Sequence, residues 1–497
     1  MRCTLRCFCE ETYGVEDPCG YKRVRQIATL VYAVGILGLF LLNLDRKGKT
    51  SWALFLPCFW LLLAGSRNIG DWLQMGAPTD SGDAYLEGNP LDRNVLAALV
   101  AFGVGILFVR RRRVWNMLKS NVPILLFFLY CGLSILWSDY PYVGFKRWIR
   151  ASGDLVMVLV ILSDCDWVGA RKKVLAWVSF FLLPLSVLFI RYYPELGRAY
   201  GQYDYTVSWT GVTTTKNGLG MISMIFGLAS ASRLIDAYRT WKRAGSRRLM
   251  IAHGIIVVIA VYLIHVAHSA TSLACFVLGC GMLFVTSRRL AVQRPILVHI
   301  VVAAILLFTF STLFLNVDLG VIEGLGRNAT LTGRTDVWER ALKLVKNPML
   351  GAGFESFWIG PRLAKMRSLD PGLNQAHNGY LEIYLNLGWV GAILLAIVVV
   401  MGYRSIIASF RRDPGPARLS LVFFVVTLSY NFTEGAFKMM MPIWIMFLMA
   451  IVSIPVAVPE MLSSVKRTRR GLRNGAKGSS QIQIEDPLGV ELRQRTV

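Results

Sequence analysis

"ILLFFLYCGLSILW", residues 124–137, carries no charged side chain and a single serine in fourteen positions. A helix on the surface of a soluble domain alternates an apolar stripe with a polar face. A run that is apolar all round instead suits the hydrocarbon core of a bilayer. Runs of this kind recur at 27–44, 51–65, 94–109, 149–162, 174–190, 214–232, 250–267, 270–286, 296–315, 380–402, 418–432 and 440–457. The whole 497-residue chain is 55% hydrophobic, with a mean hydropathy of +0.50. These features predict an all-α, polytopic integral membrane protein. With 122–137 they make thirteen runs; 51–65 and 418–432 are short, so the expected number of spans is about twelve.

The formal charge of +24 would suggest nucleic acid in a soluble protein. Here the basic residues crowd short loops between apolar runs, and no basic domain stands outside the membrane region. The reading is therefore orientation, with no nucleic-acid partner. "RRRR" at 110–113, "ARKK" at 170–173, "RTWKRAGSRR" at 239–248, "SRRLAVQR" at 287–294, "FRRDPGPAR" at 410–418 and "KRTRRGLR" at 466–473 form the basic set, assigned to the cytoplasm by the positive-inside rule. The loops 66–93, 138–148, 191–213, 316–379 and 433–439 then face outward. At the start "YKRVR" and "LDRKGK" are similarly basic, which leaves the N-terminal side open.

The chain divides into an N-terminal segment (1–26), membrane helices (27–315), a long outer loop (316–379), further membrane helices (380–457) and a polar, largely disordered cytoplasmic tail (458–497). No cleavable signal sequence is expected, because the first apolar run begins only near Ile27 and no clear small-residue cleavage site follows. Cys3, Cys7, Cys9 and Cys19 lack zinc spacing and a nearby histidine. Cys58, Cys131, Cys165, Cys275 and Cys280 sit in or near apolar runs and read as small hydrophobes.

The outer loop is far longer than its fellows, and long connections are usually functional. Within it "GRTDVWERALKLVKNP" predicts an amphipathic helix. Trp338, Ala341, Leu342 and Val345 form the apolar face; Asp336, Glu339, Lys343 and Lys346 form the other. Thr332 or Thr335 is its candidate cap and Pro348 its stop. It is expected to lie along the membrane surface or over a cavity.

Three stretches hold the candidate chemistry. His377, in "LNQAHNGY", stands where polar sequence gives way to an apolar run; the other four histidines lie in or at the ends of apolar spans. Imidazole takes a proton near neutral pH, so His377 is a candidate base, with an ordinary interfacial residue as the bland alternative. Arg334 opens the loop helix, where a helix N-terminus favours phosphate; a solvated arginine is its alternative. The loop has eight Lys/Arg against six Asp/Glu, an excess that suits an anionic substrate. Last, "RYYPELGRAYGQYDYTVSWTGVTTTKNGLG" at 191–220 is rich in aromatics and carries Arg191, Arg198 and Lys216 at one level. A membrane belt and a sugar-stacking surface both fit its aromatics.

The "DCD" at 164–166 resembles the metal-binding Asp-x-Asp of nucleotide-sugar transferases, but no nucleotide-binding domain surrounds it. There is no P-loop and no His-Glu-x-x-His. A metal or cofactor is not expected.

Seven stretches together resemble the O-antigen ligase and polymerase superfamily, in particular its exopolysaccharide-production branch. They are "EGNPLDR" at 87–93, "WSDYPYVGFKRWIR" at 137–150, "YPELGRAY" at 193–200, "GVTTTKNGLG" at 211–220, "LTGRTDVWERAL" at 331–342, "NPMLGAGFESFW" at 347–358 and "AHNGYLEIYLNLGWVG" at 376–391. The resemblance spans about residues 50–450. It implies a GT-C-like, metal-independent glycosyltransferase of the bacterial inner membrane with its active site facing the periplasm. Such an enzyme takes a glycan from undecaprenyl diphosphate and passes it to a hydroxyl of another glycan or of a lipid A core. The resemblance makes His377 and Arg334 the catalytic pair, the first activating the hydroxyl and the second holding diphosphate. It leaves Arg191, Arg198 and Lys216 as candidates for the second diphosphate cation. Ligase and polymerase share this chemistry, and the exopolysaccharide-like motifs lean to the polymerase. A flippase or transporter of lipid-linked glycans is the competing class. It would carry polar residues at mid-membrane, whereas here they gather at one face.

Overall fold

The computed structural model describes residues 18–44, 50–73, 89–200, 206–242, 245–288, 292–314, 332–368 and 373–455. Residues 1–17 with Cys3, Cys7 and Cys9, the Cys19 side chain, the aromatic pair Tyr203 and Tyr205, the first part of the outer loop with Arg327, the side chain of Thr332 and the polar tail lie outside the described residues. The described residues up to Ser453 form one compact unit.

Every apolar run became a helix. In chain order they are α1 (Pro18–Leu42), α2 (Phe55–Ala64, entered through a 3-10 turn at Trp52–Leu54), α3 (Pro90–Val109), α4 (Arg111–Ser120) and α5 (Val122–Leu133). There follow α6 (Pro141–Leu162), α7 (Trp167–Tyr192), α8 (Lys216–Arg239), α9 (Ser246–Ala267), α10 (Ala270–Thr286) and α11 (Pro295–Phe314). The outer loop holds α12 (Thr332–Lys343) and α13 (Gly360–Arg367), and the chain returns through α14 (Gly379–Arg412), α15 (Pro414–Tyr430) and α16 (Pro442–Ile451). Among the described residues the strands are β1 (Arg198–Tyr200) and β2 (Val207–Trp209), an antiparallel pair with Arg198 opposite Trp209.

Among the described residues, six helices are long and apolar enough to cross a membrane: α1, α3, α7, α8, α9 and α14. The segment read as one span at 122–137 is the second arm of an 88° bend with α4. The cause is in the sequence: "RRRVWNMLKS" is amphipathic, buries Val114 and Met117, and leaves its arginines out, so α4 is built to lie across the end of the bundle. Shorter apolar helices at Trp52–Ala64, Ala270–Thr286, Ile296–Ser311 and Pro442–Ile451 supply further apolar segments. With the bent pair counted once, the long and short apolar segments number eleven among the described residues, one fewer than the expected dozen.

Helices α7 and α8 form the centre, each with most of its apolar window buried, whereas α1 is almost wholly peripheral. On α1 the residues Ile27, Leu30, Val31, Val34, Leu37 and Leu41 are exposed. In a bilayer that face meets lipid tails, so its exposure costs nothing.

Helix ends locate the site. Near the start of α7, Arg171 donates to Ser420 Oγ at 2.8 Å and Pro416 O at 2.6 Å, so α7 and α15 begin at the same end of the bundle. Beside it Asp164 accepts from Ser51 N at 3.2 Å and pairs with Arg110 at 3.4 Å, and Asp166 caps α7 through Gly169 N at 2.9 Å. The "DCD" thus works as structure. The candidate site lies at the other end, where α7 finishes, α8 and α14 start, and α15 finishes.

Candidate functional site

The site is built on a broken helix. α14 was expected to run unbroken through 380–402, but Gly388 has φ +63° and ψ −164°, a conformation essentially restricted to glycine. A break inside apolar surroundings frees carbonyls on one side and N–H groups on the other, and each needs a partner. The turn stretch 348–353 supplies them. Ala352 N donates to Leu385 O at 3.1 Å and Gly353 N to Asn386 O at 2.8 Å, while Tyr130 Oη donates to Leu387 O at 3.0 Å. In return Trp389 N reaches Pro348 O at 2.9 Å and Val390 N reaches Met349 O at 3.2 Å. The "NPMLGAGFESFW" stretch is therefore a strap laid across the break. Asn386 fastens it: Oδ1 accepts from Ser356 N at 2.9 Å and Phe357 N at 3.0 Å, and Nδ2 donates to Glu382 O at 2.9 Å.

The strap and loop helices share a small core. Ala341, Phe357, Trp358, Leu363, Met366, Leu373, Ala376 and Leu385 are buried together, with Val337, Trp338 and Val345 packed against them. The apolar face of α12 is thus covered by the loop itself, instead of lying on lipid. Leu342, expected on that face, is 46% exposed on the other side. Asp336, Glu339, Lys343 and Lys346 are exposed as expected, and Lys343 pairs with Glu339, which it holds below the ordinary carboxylate range.

The short segment before α14 is held on all sides. Trp338 Nε1 donates to Ala376 O at 2.8 Å, and Ala376 N donates to the Glu382 carboxylate. Asn378 caps α14 through Tyr380 N and Leu381 N, both at 3.0 Å, and Gly379 N donates to Asn431 O at 2.8 Å. Between these anchors His377 adopts φ +52°, unusual for a residue with a side chain and tolerated where the surroundings over-determine it. The imidazole is one-third exposed.

His377 and Arg334 meet at a third residue. Glu434, in the turn after α15, places Oε2 at 3.2 Å from His377 Nδ1 and Oε1 at 3.8 Å from an Arg334 nitrogen. Arg334 Nη1 also donates to Thr433 O at 2.5 Å. Asn217, from the "TTTKNGLG" stretch, donates from Nδ2 to Glu434 Oε1 at 3.2 Å. Three distant pieces of chain, at 217, 334 and 377, thus converge on one buried carboxylate. A neighbouring buried carboxylate steadies the same return loop: Asp154 accepts from Trp60 Nε1 at 2.8 Å and Met440 N at 2.9 Å.

The three candidate phosphate cations separate. Lys216 is exposed at the first position of α8, next to Asn217, with Thr215 capping the helix through Gly218 N at 3.0 Å. Arg191 and Arg198 line a different cavity of about 160 Å³ together with Trp209, Tyr262, His265 and His268. Arg191 donates to Tyr262 Oη at 2.9 Å, and Arg198 lies over the Trp209 ring at 4.5 Å and donates to Ile190 O. Among the described residues no three His, Cys, Asp or Glu side chains group as metal ligands.

Sequence reading passed over two residues here. Arg67 binds the carbonyls of Thr213 at 3.2 Å, Gly211 at 3.5 Å and Leu196, tying down the segment that leads into Lys216. Burial lowers its guanidinium from the ordinary value and Asp71 partly restores it. Glu434 was lost in a short loop between apolar runs. The available signal was its isolation: it is the sole carboxylate between Asp413 and Glu460.

Residues 255–396 match the family model described as O-antigen ligase. The chain is also 26% identical, over 326 residues, to the exopolysaccharide production protein ExoQ of Rhizobium meliloti, covering 62% of this chain and 71% of that protein. The matched family segment contains Arg334 and His377, while Asn217 and Glu434 fall outside it.

Proposed function

Because the chain belongs to the O-antigen ligase and polymerase superfamily, and is thus a multi-pass membrane enzyme of surface polysaccharide biosynthesis, we propose that it transfers a glycan from undecaprenyl diphosphate to an acceptor hydroxyl at the periplasmic face of the inner membrane. The observation that carries this reading is the convergence of a partly exposed imidazole and an arginine at one helix-end cluster. His377 takes the proton of the acceptor hydroxyl as its oxygen attacks the anomeric carbon. The bond from that carbon to the diphosphate oxygen breaks, and the lipid diphosphate leaves with the electron pair. Diphosphate is already a good leaving group, so what the protein supplies is a base and positive charge.

Arg334 is the first diphosphate cation on this reading. Lys216 is the second, because it is exposed and adjoins Asn217 in the Glu434 cluster. Arg191 and Arg198 are engaged with Tyr262, Ile190 and Trp209 at the neighbouring cavity, and they serve the approach of the donor's charged end. The likeness to an exopolysaccharide production protein favours a polymerase that joins repeat units, with a glycan as acceptor.

The test is the lipid-linked glycan that accumulates in a deletion strain, complemented with the wild type or with His377→Ala. Single repeat units on the carrier, cleared by the wild type and not by the variant, support the polymerase. Long polymer left on the carrier makes the enzyme a ligase. An unchanged carrier pool overturns the transferase reading.

A further inference from the structure

We propose that Glu434 is a positioning residue that fixes the proton on His377 Nδ1 and so makes Nε2 the atom that receives the acceptor's proton. This deepens the transferase reading and rests on it.

The geometry is specific. Glu434 is 6% exposed and is held from both sides of its turn. Its N–H donates to Tyr430 O at 3.0 Å, and Asn431 Oδ1 accepts from Ala436 N at 3.0 Å and Phe437 N at 2.9 Å. Its two oxygens divide their partners: Oε1 takes Asn217 and faces Arg334, while Oε2 faces His377. An ionised carboxylate only accepts hydrogen bonds, so the proton between Oε2 and the imidazole belongs to Nδ1. Gln375 lies 3.4 Å from the same nitrogen; with Nδ1 a donor, it serves only by turning its amide oxygen inward. Nε2 carries no hydrogen bond among the described residues, and its ring is one-third exposed.

A neutral imidazole with Nδ1–H has its lone pair on Nε2, the open side. When Nε2 accepts a proton the ring becomes an imidazolium, and Glu434 then faces a full positive charge at 3.2 Å. That interaction is stronger in the protonated state than in the resting one, which is the requirement for helping the chemical step and not merely binding. The orienting carboxylate behind a catalytic histidine is the general form of this arrangement. Asn217 and Arg334 hold the carboxylate in turn, so donor-side and acceptor-side elements share one anchor.

The test uses the full chain in liposomes with a purified lipid-linked glycan as donor and a short glycan acceptor. Glu434→Gln keeps the size and one acceptor and removes the charge. It should lower kcat roughly 100-fold, within the range of general-base effects, while KM for the donor moves less than about threefold. Glu434→Asp should recover part of the loss. The double variant His377→Ala with Glu434→Gln should be no slower than His377→Ala alone, because a residue that works through the histidine has nothing left to act on. Equal melting temperatures for wild type and Glu434→Gln keep folding out of the comparison; if Glu434→Gln melts early, Glu434→Asp and the double variant decide. Multiplicative losses in the double variant, or a wild-type kcat in Glu434→Gln beside an inactive His377→Ala, overturn this inference alone. Full activity in His377→Ala overturns the base assignment beneath it.

Discussion

Asn386→Leu tests the strap across the α14 break. Leucine keeps asparagine's heavy-atom count and its branch at Cγ, so the change leaves no cavity and removes the hydrogen bonding, with some overpacking from the bulkier methyl groups. Asn386 is buried, and its Oδ1 is the acceptor for Ser356 N at 2.9 Å and Phe357 N at 3.0 Å, two residues with almost no exposure. Phe357 N loses its partner, while Ser356 N keeps Gly353 O at 3.1 Å. A buried donor left unmatched costs roughly 1–3 kcal/mol. For a domain this large each kcal/mol lowers the melting temperature by about 2 °C, which predicts a fall of roughly 2–6 °C. The assay is thermal unfolding of the purified protein in nanodiscs, followed by intrinsic tryptophan fluorescence. Trp358 rides on the strap, donating to Glu382 at 2.8 Å, so its environment reports directly. Transfer should fall as well, since Glu382 also holds Ala376, the neighbour of His377. A melting temperature within about 1 °C of wild type, with transfer intact, would refute the claim that the strap depends on Asn386.

Gly379→Ala would set a Cβ 1.9 Å from Asn431 Oδ1, so α14 and the Glu434 turn must move apart. Overpacking of this kind costs roughly 1–3 kcal/mol, and glycan transfer in the complemented deletion strain should be lost while the protein still accumulates in the membrane. Arg334→Lys keeps the charge but loses the planar fork that now spans Thr433 and Glu434. Hydrogen bonds to charged groups are worth roughly 1.5–3 kcal/mol, so kcat/KM for the donor should fall roughly 10- to 150-fold in the liposome assay. A loss under about threefold would remove Arg334 from the donor site.

Apolar runs were legible because the bilayer imposes them directly: a span has to be apolar whatever it packs against. Helix breaks and side-chain meetings were not, because they depend on partners. Gly388 looks in sequence like any glycine of a membrane helix, and only the nearby carbonyls of Pro348 and Met349 make it a break. Amphipathicity showed that α12 has a face to cover, but not that Phe357, Trp358 and Met366 would cover it. His377 and Arg334 stood out as a base and a cation beside an apolar boundary, and the fold brings both to one cluster. Glu434 did not stand out, since a single acid in a short loop carries no spacing. Its meaning lies in residues 57, 100 and 217 positions away.

Those separations set an order of events during synthesis. Asn217, Arg334 and His377 each leave the ribosome before the carboxylate that gathers them. A chain halted between residues 377 and 434 contains most of the bundle and the histidine, yet lacks the residue on which the cluster closes. Capacity to act on a lipid-linked glycan would therefore switch on late, with the packing of α14 against α15, and not grow by degrees as helices enter the membrane.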